Sequence, residues 1–443
     1  MQERIGMAKC PKPEAKIAWW QMSFIGVGCI IGTGYFLGSS IAIQKAGSSV
    51  LMAYLLAGLG TWIVFESLAK LTAHHPEKGS FRTYAKQAYG NWAGFSNGWV
   101  YWSSEMLIMG SQLTALAIFA QFWFPQLALW VLAAIFAALG LLIILMGVKK
   151  VEQMESVFGL MKVAAIVMFV LIALAALMGW IGGDKTEVPT APFQTLFPNG
   201  GVGLWGAFLY AFYAFGGIEV MGLMARELKK PKDAPKSGKV MLLVLTSFYL
   251  ISIFFVLKLV PSIEINADES PFITALVQFD LPWVPHLFNS VLIIAGFSTM
   301  VASLYAVTTM LVTLAEEGDA PKIFSVEGRW SIPTSAFGLT AAVVILSILV
   351  AILLPERIFE YLTTAAGLML LYNWIFILLS FKKLMGNTAI DMVKIIVAFL
   401  LILIAIGGTL FDQISRAGFF VSMGFIAVIT IATFFKQKKF GDN

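Results

Sequence analysis

Long apolar runs, separated by short polar or glycine- and proline-bearing segments, set the pattern of the chain. Runs long enough to cross a bilayer, for which about 20 residues suffice, fall at about 17–45, 49–73, 93–124, 127–147, 156–181, 201–225, 239–260, 286–316, 336–354, 357–381, 389–410 and 416–435. The pattern predicts an all-α polytopic membrane protein with twelve spans. The third run is longer than a perpendicular helix requires, which predicts steep tilt and a place beside a central site. Between the fifth and sixth runs, 182–201 carries Pro189, Pro192 and Pro198 and reads as an irregular external loop.

Two runs are interrupted from within. The first holds Gly26, Gly28, Gly32, Gly34 and Gly38, and a helix interior loses about 1 kcal/mol for each glycine. A break near Gly32 and Gly34 is expected, and the backbone groups it frees at membrane depth need a polar partner, for which a polar ligand is the natural candidate. Gly28 and Gly32, four apart, also fit a close-packing helix face, which leaves Thr33, Gly34 and Gly38 unexplained. The spacing is not G-x-G-x-x-G and no strand precedes it, so a dinucleotide fingerprint is a poor match. The sixth run places Gly216 and Gly217 in mid-membrane, followed by Glu219. The breaks lie about 185 residues apart, so 17–181 and 201–382 are candidate five-helix repeats, the second inverted because five is odd. Residues 389–435 carry helices 11 and 12 outside that repeat, and 1–16 and 436–443 are tails. Interrupted helices at matching positions of two inverted halves point to a transporter's binding site.

Composition agrees: 59% of the 443 residues are hydrophobic and 12% charged, against about 25% charged in soluble proteins. The placement of the net charge of +5 matters more than its size. Lys78, Arg82, Lys86, Lys149, Lys150, Arg226, Lys229, Lys230, Lys232, Lys236, Lys322, Arg329, Lys382, Lys383, Lys436, Lys438 and Lys439 all fall in one set of loops and the tail, against Lys45, Lys185, Arg357 and Arg416 on the other side. That asymmetry predicts both termini in the cytoplasm. The polar first sixteen residues and the long run after them give no sign of a cleavable leader. Cys10 and Cys29 offer neither a disulfide framework nor a metal cluster, and His74-His75-Pro76 reads as a solvated turn. No cofactor, metal or nucleic acid is expected. With no H-E-x-x-H, nucleophile elbow or phosphate loop, an enzyme is set aside, and paired broken helices suit an occluded site better than a channel.

Further motifs join the two breaks: Ile31-Gly32-Thr33-Gly34, Pro76-x-x-Gly79-Ser80-Phe81-x-x-Tyr84-Ala85, Gly98-Trp99-x-Tyr101-Trp102, Gly147-Val148-Lys149, Lys162-Val163, Phe215-x-Gly217-x-Glu219, Arg226-Glu227-x-x-x-Pro231, Leu304-Tyr305-Ala306 and Leu314-Ala315-Glu316-x-Gly318-x-Ala320-Pro321-Lys322. In this order and spacing the chain resembles an amino acid permease of the amino acid–polyamine–organocation superfamily, most like its bacterial amino acid transporter branch. The resemblance implies a 5+5 inverted-repeat core of the leucine-transporter type, with discontinuous helices 1 and 6 and two peripheral helices. It implies a secondary active transporter in the bacterial cytoplasmic membrane that imports amino acids by proton symport with alternating access; the oligomeric state is not indicated. The substrate carboxylate is expected on the N–H groups at Ile31, Gly32, Thr33 and Gly34, where a helix N-terminus favours an anion. Its ammonium is expected on the carbonyls of Ala211, Phe212 and Ala214, with Tyr213 or Phe215 as an aromatic lid.

Charges at membrane depth cost roughly 2.5–3.5 kcal/mol each, and Glu66, Glu105, Lys162 and Glu219 lie there. Lys162 either snorkels to the headgroups or, as in proton-coupled relatives, occupies the place that sodium takes in sodium-coupled cousins and carries the proton. Resemblance suggests that Glu219 is a structural or gating partner of the unwound backbone, and that Glu66 anchors a cytoplasmic-side polar network. Relatives usually carry an acid where this chain has Gln112, and Glu105 stands two turns earlier on the same helix face. Glu105 then pairs with a cationic side chain of a basic amino acid or polyamine, is protonated beside a neutral substrate, or pairs with Lys162. Cys29 and Thr309 also depart from the family, replacing a usual glycine and a frequent arginine, and so does the loop around Gly328-Arg329-Trp330. A membrane nutrient receptor on the transporter fold is the reading of another class.

Overall fold

Each of the twelve apolar runs is helical in the computed structural model, which describes residues 17–77, 79–146, 149–181, 196–225, 228–326, 333–353, 357–385 and 388–441. The tail 1–16, Lys78, Gly147, Val148, residues 182–195, Arg226, Glu227 and Gly328-Arg329-Trp330 lie outside them. The first run folds as α1 (Trp19–Ile30), α2 (Thr33–Phe36) and α3 (Gly38–Ala46), and α4 (Val50–His74) follows. A short helix unforeseen in the sequence, α5 (Ser80–Tyr89), leads into α6 (Asn91–Gln121), α7 (Leu129–Met146) and α8 (Lys149–Leu177). The sixth run is split into α9 (Gly200–Tyr213) and α10 (Ile218–Met224), followed by α11 (Ala234–Leu259), the short α12 (Pro271–Leu276) and α13 (Trp283–Glu316). The chain ends with α14 (Thr334–Leu353), α15 (Ile358–Leu384), α16 (Ala389–Gly408) and α17 (Gln413–Gly441).

Among the described residues there is no strand, only an isolated bridge of Ile17 to Leu228. Ten helical stretches are long and apolar enough to cross a membrane. One of them, Thr33–His74, takes in parts of two of the apolar runs, and Leu129–Leu145 is a shorter apolar helix outside the ten.

Burial sorts the helices. The apolar window of α6 is 83% buried and that of α15 is 72% buried, against 22% for α16 and for α17. α6 packs on α13 and α15, with α5 and α7 also against it, and so forms the central post. Ile390, Phe420 and Phe434 on the outer two helices present bare apolar faces, as a lipid-facing belt requires.

Both expected breaks are present. α1 stops at Ile30; Ile31 and Gly32 are extended, and the chain rewinds at Thr33 with the N–H groups of Tyr35 and Phe36 both on the Gly32 carbonyl, at 3.1 and 3.0 Å. α9 stops at Tyr213; the Phe215 and Gly216 N–H groups turn back to the Phe212 and Tyr213 carbonyls at 2.9 and 3.0 Å. Gly217, at φ +109°, takes a left-handed conformation open mainly to glycine before α10 begins. The packing role of Gly28 is also realised, because a Cβ there would lie 2.6 Å from the Gly159 Cα of α8.

Gly28→Val therefore forces α1 from α8, an overpacking that costs about 1–3 kcal/mol. A clear drop in the melting temperature of the purified protein is expected, whereas Gly38→Ala, with nothing within 4 Å of its Cβ position, leaves that temperature unchanged or slightly raised.

Candidate functional site

The two breaks meet. A Cβ on Gly34 would lie 2.8 Å from the Tyr213 ring and 3.5 Å from the Tyr213 carbonyl oxygen, and one on Gly217 would lie 3.4 Å from Ile30. On the opposite side α13 closes in: Gly32 faces Thr299, and Gly296 faces the Thr33 methyl. Among the described residues no acceptor meets the N–H groups of Gly32, Thr33 and Gly34. The Thr33 hydroxyl, 1% exposed, has no partner either. Several donors thus converge at the start of a helix with nothing to donate to, the arrangement that favours an anion. Ile31, fully buried, ends the first half of the broken span just before them.

On the other break, the Phe215 N–H bonds to the Phe212 carbonyl and not, as in a regular helix, to that of Ala211. The Ala214 carbonyl accepts the Tyr249 hydroxyl at 2.9 Å. Tyr249 stacks on Tyr35 at 3.9 Å between ring centroids, so one aromatic pair spans from the second break to the first.

Of the aromatic candidates for a lid, only Tyr213 rests on Gly34, and its hydroxyl shares a 2.6 Å hydrogen bond with Ser111 of α6. Phe215 lies against Gly58 and Tyr249, and Phe212 against Gly60 and Trp374.

Lys162 does not snorkel. Its side chain is fully buried and its ammonium donates to the Gly28 carbonyl at 3.0 Å, in the last turn of α1 before the break. Glu219, also fully buried, accepts the Gly217 N–H at 3.3 Å and the Trp374 indole N–H at 3.2 Å. Glu105, 6% exposed, lies beside Tyr101 and Ser303 within electrostatic reach of Glu219. The Oε1 of Gln112, two turns along α6, is buried with no partner. Glu66 stands apart from this group, between Lys70 and Lys394 at 2.9 Å each, with Lys70 also 2.9 Å from Asp391; the cluster joins α4 to α16.

A profile described as Amino acid permease matches residues 21–442. The chain belongs to the amino acid permease family. Among its relatives, the transporter YcgH of Bacillus subtilis is 55% identical over 439 residues, 99% of this chain and 98% of the relative. The aromatic amino acid transport protein AroP of Corynebacterium glutamicum is 32% identical, over 84% of this chain and 83% of the relative. AroP of Escherichia coli K12 is also 32% identical, over 82% of this chain and 80% of its own length. Membership and the apolar helices together make this a multi-pass membrane protein that transports amino acids, not an enzyme.

In this permease two charge clusters hold opposite ends of the bundle, and the sequence pattern had assigned their cations only to topology. Lys45 of α3 sits 2.8 Å from Glu360 and 2.9 Å from Asp412, and the Tyr210 hydroxyl donates to Glu360 at 3.2 Å. Arg82 of α5, 2% exposed, pairs with Asp319 and, at 2.8 Å, with Glu317, while Lys436 of α17 also pairs with Asp319. Among the described residues no cluster of His, Cys, Asp or Glu fit for a metal ion occurs.

Burial alone would raise Asp412, but Ser415 and Lys45 outweigh it and hold its carboxyl below the usual carboxylate range. A lowered folded value means stabilisation that is present above the ordinary pKa of about 3.9 and lost as pH falls through the folded value. Asp412→Asn accordingly melts below the wild type at pH 7, and the two curves converge in acid. Glu219→Ala leaves two buried donors unpaired, at about 1–3 kcal/mol each; its melting point falls further than that of Glu219→Gln, whose side chain keeps one acceptor oxygen.

Proposed function

We propose that the chain is a secondary active transporter that imports amino acids across the bacterial cytoplasmic membrane by proton symport with alternating access. The observation that carries the reading is the meeting of the two broken helices at Gly34 and Tyr213, beside unpartnered N–H groups of Gly32, Thr33 and Gly34. The substrate carboxylate takes those donors and the Thr33 hydroxyl. The ammonium takes the carbonyl ends at Ala211, Phe212 and Ala214. Tyr213 lies on the cradle and must swing off it to admit a carboxylate, which makes it the lid.

The side chain of the substrate extends toward Tyr101, Glu105 and Ser303. Two relatives named for aromatic amino acid transport support a large neutral side chain. A second reading, a basic amino acid or polyamine, is favoured by the acid Glu105 beside Tyr101 and Ser303 and near Glu219. The fold proposed is twelve crossings, with 17–181 and 201–382 as inverted repeats, 389–435 peripheral and both termini cytoplasmic. Lys162 carries the proton: while charged it holds the Gly28 carbonyl, and its deprotonation releases the inner half of the broken span. One proton crossing 100 mV supplies about 2.3 kcal/mol, enough for nearly fifty-fold accumulation.

Uptake of radiolabelled phenylalanine and lysine into proteoliposomes, each competed by the other amino acids, tests the reading and separates its two substrate classes. Gly34→Val should abolish uptake, because its side chain enters the space of Tyr213. Lys162→Ala should lose substrate-driven proton uptake while still binding substrate. Absence of any amino acid flux, with binding retained, would favour a receptor.

A further inference from the structure

Helix α6 runs between two cavities. Its first residue, Asn91, lines one, and Gln121, its last, lines another of about 230 Å³ at the opposite end of the bundle. We propose that this second cavity is an ammonium-binding site, separate from the broken helices, that receives the amino group of a solute before it reaches them.

Its lining is acceptor-rich and aromatic. Asp268 and Glu269 supply two carboxylates, and Phe119 and Phe122 supply aromatic rings, a residue type whose faces attract cations. No basic side chain stands among the described lining residues, which include two acids. Two buried polar atoms of the lining have no partner among the described residues. Asn289, fully buried, gives its amide N–H to the Phe119 carbonyl at 2.9 Å, while its Oδ1 has no partner. Ser270, 1% exposed, precedes α12 where a serine ordinarily turns its hydroxyl to the helix N–H groups, yet this hydroxyl makes no such bond and has no partner. A buried polar atom left unmatched costs about 1–3 kcal/mol, and an ammonium offers three donors to match Asn289 Oδ1, the Ser270 oxygen and a carboxylate.

The loop that carries the acids is tied to the outer half of the broken span. Ser40 of α3 donates to the Glu269 carbonyl at 2.5 Å, and Gln44 donates to the Ile265 carbonyl at 2.7 Å. A ligand held by Glu269 therefore bears on α3 through the same residue's backbone. The role in transport rests on the permease reading above; the binding site itself does not.

The test uses the full chain in lipid nanodiscs and benzylammonium, which has an ammonium and a ring but no carboxylate for the Gly32–Gly34 cradle. Calorimetric titration should show saturable binding, weakened at least tenfold in Asp268→Asn/Glu269→Gln and unchanged in Gly34→Val. Asp268→Asn alone, at an exposed position, should give part of that loss without disturbing the fold, and should raise the KM for amino acid uptake severalfold at constant kcat. Equal affinity in the double variant, loss of binding in Gly34→Val, or full displacement by millimolar sodium or calcium chloride would overturn the proposal. Binding that follows the predicted pattern in a protein without amino acid flux would sustain this site and sink the permease mechanism instead.

Discussion

A backbone that leaves its helix at membrane depth must find partners there, because lipid offers none. This chain does so at two places, Ile31-Gly32 and Ala214 to Gly217, and the structure sets them against each other. Part of the obligation is met internally: Tyr249 takes the Ala214 carbonyl, Glu219 takes the Gly217 N–H, and Lys162 takes the Gly28 carbonyl. The donors of Gly32, Thr33 and Gly34 are left over. What remains unmatched defines what the site is able to hold, an anion against the first break.

Three contacts of polar side chains at depth share one pattern. Each lies on a break or next to one and bridges elements that are distant in sequence: Lys162 joins α8 to α1, Glu219 joins α10 to α15, and the Tyr35 and Tyr249 stack joins α2 to α11. Of these contacts, the Tyr35 and Tyr249 stack, with the Tyr249 hydroxyl on the Ala214 carbonyl, reaches from one break to the other. At the ends of the bundle, the Lys45 cluster with Glu360 and Asp412 and the Arg82 cluster with Glu317 and Asp319 are both closed.

The apolar runs and the glycine breaks were readable because period and glycine cost are local properties; the helix limits differ from the runs mainly at α8 and α17, where polar turns extend the helices beyond the apolar stretch. The charges were only half readable. Lys45 and Arg82 look like topology markers until burial and partners are known, since a lysine or arginine near a span end carries the same sequence signal whether it faces water or an acid. The aromatic lid was ambiguous for a similar reason: Tyr213 and Phe215 are two apart, and only the unwound turn decides which ring rests on Gly34. Thr299, Ser303 and Ser111 were missed because a serine or threonine in an apolar helix ordinarily bonds its own backbone, as Thr299 also does.

The most direct measurement is the dipolar coupling between a 13C-labelled substrate carboxylate and the 15N amide of Gly34, by solid-state NMR on the reconstituted permease. The account predicts a coupling that corresponds to a carboxylate oxygen at hydrogen-bond distance from that nitrogen, about 3 Å, and its loss on addition of excess unlabelled substrate. A bound substrate with no coupling to Gly34, or with its carboxylate held by side chains alone, would contradict the account.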